Sequence, residues 1–168
     1  PAYAGAAIER GIPSMVDGLT NVRRKVLWGM RALRIERDEV SVANLAGTLS
    51  SKCLYHHRGT AMEDSIIGMA ADYVGCGNVT LLVPKGQFGS RHSHQAASAA
   101  YPKTHLNNPL QARLFPPEDD AVLQHVVDEG VRVEPTYFVP VIATALCLGA
   151  DGIAVGWSTK LFTYHPLH

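Results

Sequence analysis

Residues 42–66 read Val42-Ala43-Asn44-Leu45-Ala46-Gly47-Thr48-Leu49-Ser50-Ser51-Lys52-Cys53-Leu54-Tyr55-His56-His57-Arg58-Gly59-Thr60-Ala61-Met62-Glu63-Asp64-Ser65-Ile66. Val42, Leu45, Ala46 and Leu49 recur every three or four residues, the spacing of one buried helix face, and predict a helix over Val40 to Ser50. Thr60-Ala61-Met62-Glu63 has the form of a capping box, in which the Thr and Glu side chains satisfy amides left open at a helix start. Met62, Ile66, Met69, Ala70 and Tyr73 continue it at helical spacing. Helix, short link, helix is compatible with a helix-turn-helix. The link from Lys52 to Gly59 is rich in groups that can contact a phosphate.

Upstream, Pro13 restricts Ile12 before a second helical pattern of Val22, Val26, Leu27, Met30 and Leu33. Arg23, Arg24, Arg31 and Arg34 lie on its other faces and read, by composition, as a solvated charged surface. Residues 1–12 read as an arm or approach segment. Downstream, Gly75-Cys76-Gly77-Asn78 breaks the helix and Val79-Thr80-Leu81-Leu82-Val83 reads as a strand. Pro84 and Gly86 end that strand, and Gln87 to Arg91 are expected to return beside it. Helices followed by such a hairpin make a winged helix, an α+β fold. Further on, Leu110–Phe115 and Val122–Val127 read as short helices, Val131–Val133 and Phe138–Ile142 as extended, and Gly149–Trp157 as a glycine-rich loop.

The length of 168 residues fits one domain, and 46% apolar with 18% charged residues describes an ordinary globular chain. No apolar run approaches the ~18 residues that a membrane helix requires. Fifteen basic residues balance fifteen acids, yet residues 1–113 carry a net +5 and residues 114–168 a net −5. That split permits a basic face for phosphates beside an acidic part that faces elsewhere. Cys53, Cys76 and Cys147 show no close pairing, which favours a reducing compartment over a disulfide framework. The start lacks a basic stretch leading into an apolar core, so no signal peptide is expected, and it lacks Met, so a processed chain or an excised piece is expected.

Eight histidines raise the question of metal, but His92-x-His94 and the group Cys53, His56, His57 and Cys76 lack structural-zinc spacing. No metal site is expected. The segment Gly149 to Gly156 lacks the Lys-Ser/Thr ending of a phosphate-binding loop. Ile153 within it is either a core residue or an apolar wedge of the kind that opens base steps. Tyr101 sits among small residues, where little shields its phenol. A tyrosine of pKa ~10 becomes a nucleophile only with cationic or metal support.

Taken in order, Arg10-Gly11-Ile12-Pro13-Ser14-Met15-Val16-Asp17-Gly18-Leu19, Arg24-Lys25-Val26-Leu27, Leu45-Ala46-Gly47, Tyr55-His56-His57, Gly86-Gln87-Phe88-Gly89-Ser90-Arg91, Val133-Glu134-Pro135 and Gly152-Ile153 with Gly156-Trp157-Ser158 resemble one family. It is the winged-helix part of the breakage-reunion core of type IIA DNA topoisomerase, in its eukaryotic and large-virus form. The resemblance covers residues 9–168, leaving 1–8 as an N-terminal arm. It implies a gate that binds duplex DNA and cuts it through a transient 5′-phosphotyrosyl bond. Tyr101 is then the nucleophile, Arg24 its supporting cation and His57 a hydrogen-bonding or proton-transfer partner. Lys25, Lys52, His56, Arg58 and Arg91 are expected against the DNA backbone, and Ile153 as the intercalating wedge.

The resemblance departs at Ala100, where the family has arginine, at Gln95, where an acid is expected, and at Pro102 and Leu148. The alternative it leaves is a winged-helix module that binds or shapes DNA without cleaving it; a third is an interaction domain that no longer uses DNA. No cofactor is expected on this chain alone. Mg²⁺ would be held by a Toprim domain and ATP by an ATPase domain of the same or a partner chain, in a homodimeric enzyme with no membrane partner. The eukaryotic and viral likeness favours a nucleus or a viral replication site, with the cytoplasm as the alternative.

Overall fold

Three helices and a small antiparallel sheet meet around one apolar cluster in the computed structural model, which describes residues 2–55 and 59–167. Helix α2 (Asn21–Ala32), α3 (Val42–Lys52) and α4 (Gly59–Ala70) supply Val26, Leu27, Met30, Leu45, Leu49, Met62 and Ile66, all fully buried. Each such side chain contributes roughly 1.5–3 kcal/mol by leaving water. These are the apolar positions expected at helical spacing. Thr60 lies inside α4, which begins at Gly59, rather than capping it; residues 56–58 are outside those described.

The sheet joins β1 (Val40–Ser41), β2 (Leu82–Lys85) and β3 (Lys103–Leu106) in the order β1-β3-β2, antiparallel throughout. Leu82 opposes Leu106 and Lys85 opposes Lys103. The strand returning beside β2 is therefore residues 103–106 rather than 87–91. Residues 86–102 form a loop whose Phe88 is buried and whose backbone is tied across by Ala97 N–H to the Gln87 carbonyl at 3.1 Å. Gln87 Nε2 also donates to the Gln95 carbonyl at 3.2 Å. These bonds tie the loop back on itself instead of along β2.

Residues 2–11, expected as an arm, form helix α1 (Ala2–Gly11). After α5 (Asn108–Leu114) and a 3-10 turn at Pro117–Ala121 come β4 (His125–Asp128) and β5 (Val131–Pro135). The expected helix at Val122–Val127 is thus overturned: Val126 and Val127 stay exposed in a hairpin closed at Glu129-Gly130, both in left-handed conformation. Phe138–Ile142 is irregular rather than a strand. The glycine-rich loop resolves into α6 (Thr144–Leu148) and a hairpin of β6 (Ala150–Ala154) and β7 (Trp157–Leu161). No helix among the described residues is long and apolar enough to cross a membrane.

Candidate functional site

Tyr101 is carried on a platform built from the start of α3. A helix start leaves its first amides without partners. Here Val42 N–H donates to the Pro102 carbonyl at 3.0 Å and Ala43 N–H to the Ala99 carbonyl at 2.9 Å, while Ser41 Oγ accepts from Asn44 N–H at 3.4 Å. Tyr101 N–H closes a turn onto the Ser98 carbonyl at 2.9 Å. Pro102 is buried, yet Tyr101 between these anchors is 78% exposed. The backbone is pinned on both sides and the phenol is presented outward.

Arg24 lies elsewhere in its bonding. Its Nε donates to Asp17 Oδ2 at 2.8 Å, and its Nη2 donates to Asp17 Oδ1 at 3.1 Å and to the Leu19 carbonyl at 3.0 Å. Asp17 is fully buried and also accepts from the amides of Leu19 and Phe138. Lys25 Nζ likewise donates to Glu134 Oε2 at 2.7 Å and to the Cys53 carbonyl at 2.9 Å. Both cations are more than nine-tenths buried. Arg24, expected at a phosphate, and Lys25, expected on the DNA backbone, thus each stand beside a buried acid, Asp17 and Glu134. The solvated-face reading of the arginines fails for Arg31 too, which pairs with Asp120 at 3.0 Å above the Phe138 ring.

Lys52, in the last turn of α3, and Arg91, in the loop after β2, are exposed. His56, His57 and Arg58 lie outside the described residues. Ile153 is 78% exposed, so it is not a core residue. Its exposure follows from what holds its neighbours. Gly152 is buried so closely against α1 that a Cβ there would stand 2.6 Å from the Gly11 carbonyl oxygen, and Ala154 packs beside Gly11 as well. Strand side chains alternate, so the residue between two docked ones points out.

Sequence reasoning missed Asp17 and Glu134 as the partners of Arg24 and Lys25. The available signal was an acid inside an apolar stretch, Val16-Asp17-Gly18-Leu19 and Val131-Arg132-Val133-Glu134. Burial also sets Cys53: its thiol is pushed up to about 11, against the opposing pull of the Lys25 charge. Among the described residues no three His, Cys, Asp or Glu side chains gather where they could hold a metal ion.

A family model for the A subunit of DNA gyrase/topoisomerase IV matches residues 10–168. The chain belongs to that family, which supplies the breakage-reunion part of type IIA topoisomerases. Among members of the family, it is 45% identical over 166 residues to a DNA topoisomerase 2 of Arabidopsis thaliana and 40% identical over 166 residues to that of Drosophila melanogaster. Each alignment spans 98% of this chain and 11% of the relative, so the chain corresponds to about a tenth of those topoisomerases. A crystal structure of the Plasmodium falciparum topoisomerase II DNA-binding, cleavage and re-ligation domain superposes with a TM-score of 0.91 at 36% identity. The match covers 98% of this chain and 22% of that one. The α+β winged-helix architecture is therefore shared with a type IIA topoisomerase.

Proposed function

We propose that this chain is the DNA-gate element of a type II topoisomerase, and that Tyr101 is its nucleophile. The observation carrying the proposal is the pinned and exposed phenol of Tyr101 in a chain of this family. In the step proposed, the Tyr101 oxygen attacks a backbone phosphorus of duplex DNA as its phenolic proton passes to a base. The bond from phosphorus to the 3′-oxygen breaks and that oxygen takes up a proton. The products are a 5′-phosphotyrosyl bond and a free 3′-hydroxyl, and the reverse reaction reseals the strand. Positive groups aimed at the phosphoryl oxygens stabilise the charge that grows there.

Arg24 is the supporting cation, held in place by Asp17 and the Leu19 carbonyl through Nε and Nη2. Lys52 and Arg91, both exposed, meet phosphates that position the duplex without reading its sequence. Ile153 supplies an apolar wedge that opens a base step and bends the gate. Mg²⁺ and ATP are assigned to Toprim and ATPase domains of the same or a partner chain in a dimeric enzyme.

The test is a covalent-adduct assay with the intact polypeptide carrying these residues, its partner domains, Mg²⁺ and duplex DNA. Denaturation is expected to trap protein on DNA in the wild type and none in Tyr101→Phe. Adduct that persists in Tyr101→Phe removes the assignment. Salt-sensitive binding and bending with no adduct in the wild type would favour the architectural module, for which Ala100 in place of arginine is the specific observation.

A further inference from the structure

On the outward face of the β6–β7 hairpin, Ile153 stands opposite Ser158 and Asp151 opposite Lys160. Residues directly opposite in an antiparallel pair share a face, so Ile153 and Lys160 project from the same side. Asp151 and Lys160 line a groove of about 470 Å³ whose other walls include Arg10 from α1, Thr20 just before α2, Arg23 from α2 and Ser65 from α4. Three cations and one carboxylate, Asp151, line it.

Arg23 differs from its neighbours on α2. Arg24, Lys25 and Arg31 each have an acid within 3.0 Å. Among the described residues Arg23 has no hydrogen-bond partner and no ion pair, although it is half-buried and burial lowers its pKa. Lys160 has no ion pair among them either, even with Asp151 opposite in register. A guanidinium partly withdrawn from water with its donors unspent costs stability unless a ligand satisfies it. Its planar fork matches two phosphate oxygens at once. The start of α2 adds the same sign, with no acid in its first turn.

We infer that Arg23 and Lys160 form a phosphate clamp for the backbone of duplex DNA beside the step that Ile153 enters. This rests on the DNA-gate reading above. Arg23 then balances its desolvation only when DNA is bound, which couples bending at Ile153 to a backbone contact on the same face.

The experiment is equilibrium binding of a duplex by the intact polypeptide as salt is raised. Each phosphate contact contributes ~0.9 to the slope of log affinity against log salt. Arg23→Gln and Lys160→Gln should each lower the slope by about 1, so that between 50 and 200 mM salt each variant loses about fourfold less affinity than the wild type. Arg23→Lys should restore the slope. Because Arg23→Gln removes a half-buried charge with no partner, it should melt no earlier than the wild type. Unchanged slopes in both Gln variants, with wild-type binding intact, overturn the clamp. A wild type that binds no duplex at low salt overturns the DNA-gate reading, and the clamp with it.

Discussion

Arg24 and Asp17 meet through two side-chain hydrogen bonds, Nε to Oδ2 at 2.8 Å and Nη2 to Oδ1 at 3.1 Å, with both side chains withdrawn from solvent. The same carboxylate accepts from the Phe138 amide at 3.0 Å, and the Asp17 carbonyl accepts from Thr144 Oγ1 at 2.9 Å. One residue thus ties the start of α2 to a segment more than a hundred positions away. Removing one partner of a buried pair costs ~3–5 kcal/mol, because the other charge is stranded. Asp17→Asn should lose stability on that scale in urea unfolding. Arg24→Met added to it should recover part, since no charge is then left behind. Full stability in Asp17→Asn would show that the pair does not tie these segments together.

Tyr101 is predicted to matter for chemistry and not for folding. Its ring is mostly exposed, and exposed substitutions shift stability by about 0.5 kcal/mol or less. Tyr101→Phe should therefore unfold at the wild-type urea midpoint while forming no adduct. A large drop in stability would mean that the phenol supports the fold through contacts that its hydrogen bonds do not reveal.

Ile153 and Gly152 should separate cleanly. Ile153→Ala is expected to fold normally and to bend DNA less, as read by energy transfer between duplex ends. Gly152→Ala forces a methyl to within 2.6 Å of the Gly11 carbonyl oxygen, and overpacking of this kind costs ~1–3 kcal/mol. Equal stability of the two variants would contradict the docking of β6 on α1.

Cys53 gives a pH signature. Its thiol is raised to about 11 from 9.0, chiefly by burial. Below pH 9 both folded and unfolded states keep the proton. Between pH 9 and about 11 the unfolded state releases it first, binds fewer protons, and is favoured as pH rises. The stabilising contribution is thus present below pH 9 and is lost through about 11. Unfolding midpoints should fall more steeply across this window in the wild type than in Cys53→Ala. Parallel curves would show that the Cys53 proton does not contribute.

The three-helix core was legible because Val26, Leu27, Met30, Leu45, Leu49, Met62 and Ile66 repeat at helical spacing and do face one another. The strand beside β2 was not. Gln87–Arg91 follows a turn signal closely, but the pairing is decided by contacts that local pattern does not carry, including α3 amides reaching Pro102 and Ala99. Val122–Val127 has a run of apolar residues short enough to suit either helix or strand, and the left-handed Glu129-Gly130 closure selects the hairpin. At the site, exposure of Tyr101 was suggested by its small neighbours. Burial of Arg24 and Lys25 was hidden, because charge on a helix reads as surface until the distant acids, Asp17 and Glu134, are brought against it.

The assignment of the nucleophile is tested most directly by digesting a trapped protein-DNA adduct and mapping the nucleotide remnant by mass spectrometry. The chain has six tyrosines. The expected result is a 5′-phosphate-linked remnant on the peptide carrying Tyr101 alone. A remnant on any other tyrosine, or cleavage of DNA with no remnant on this chain, would contradict the assignment.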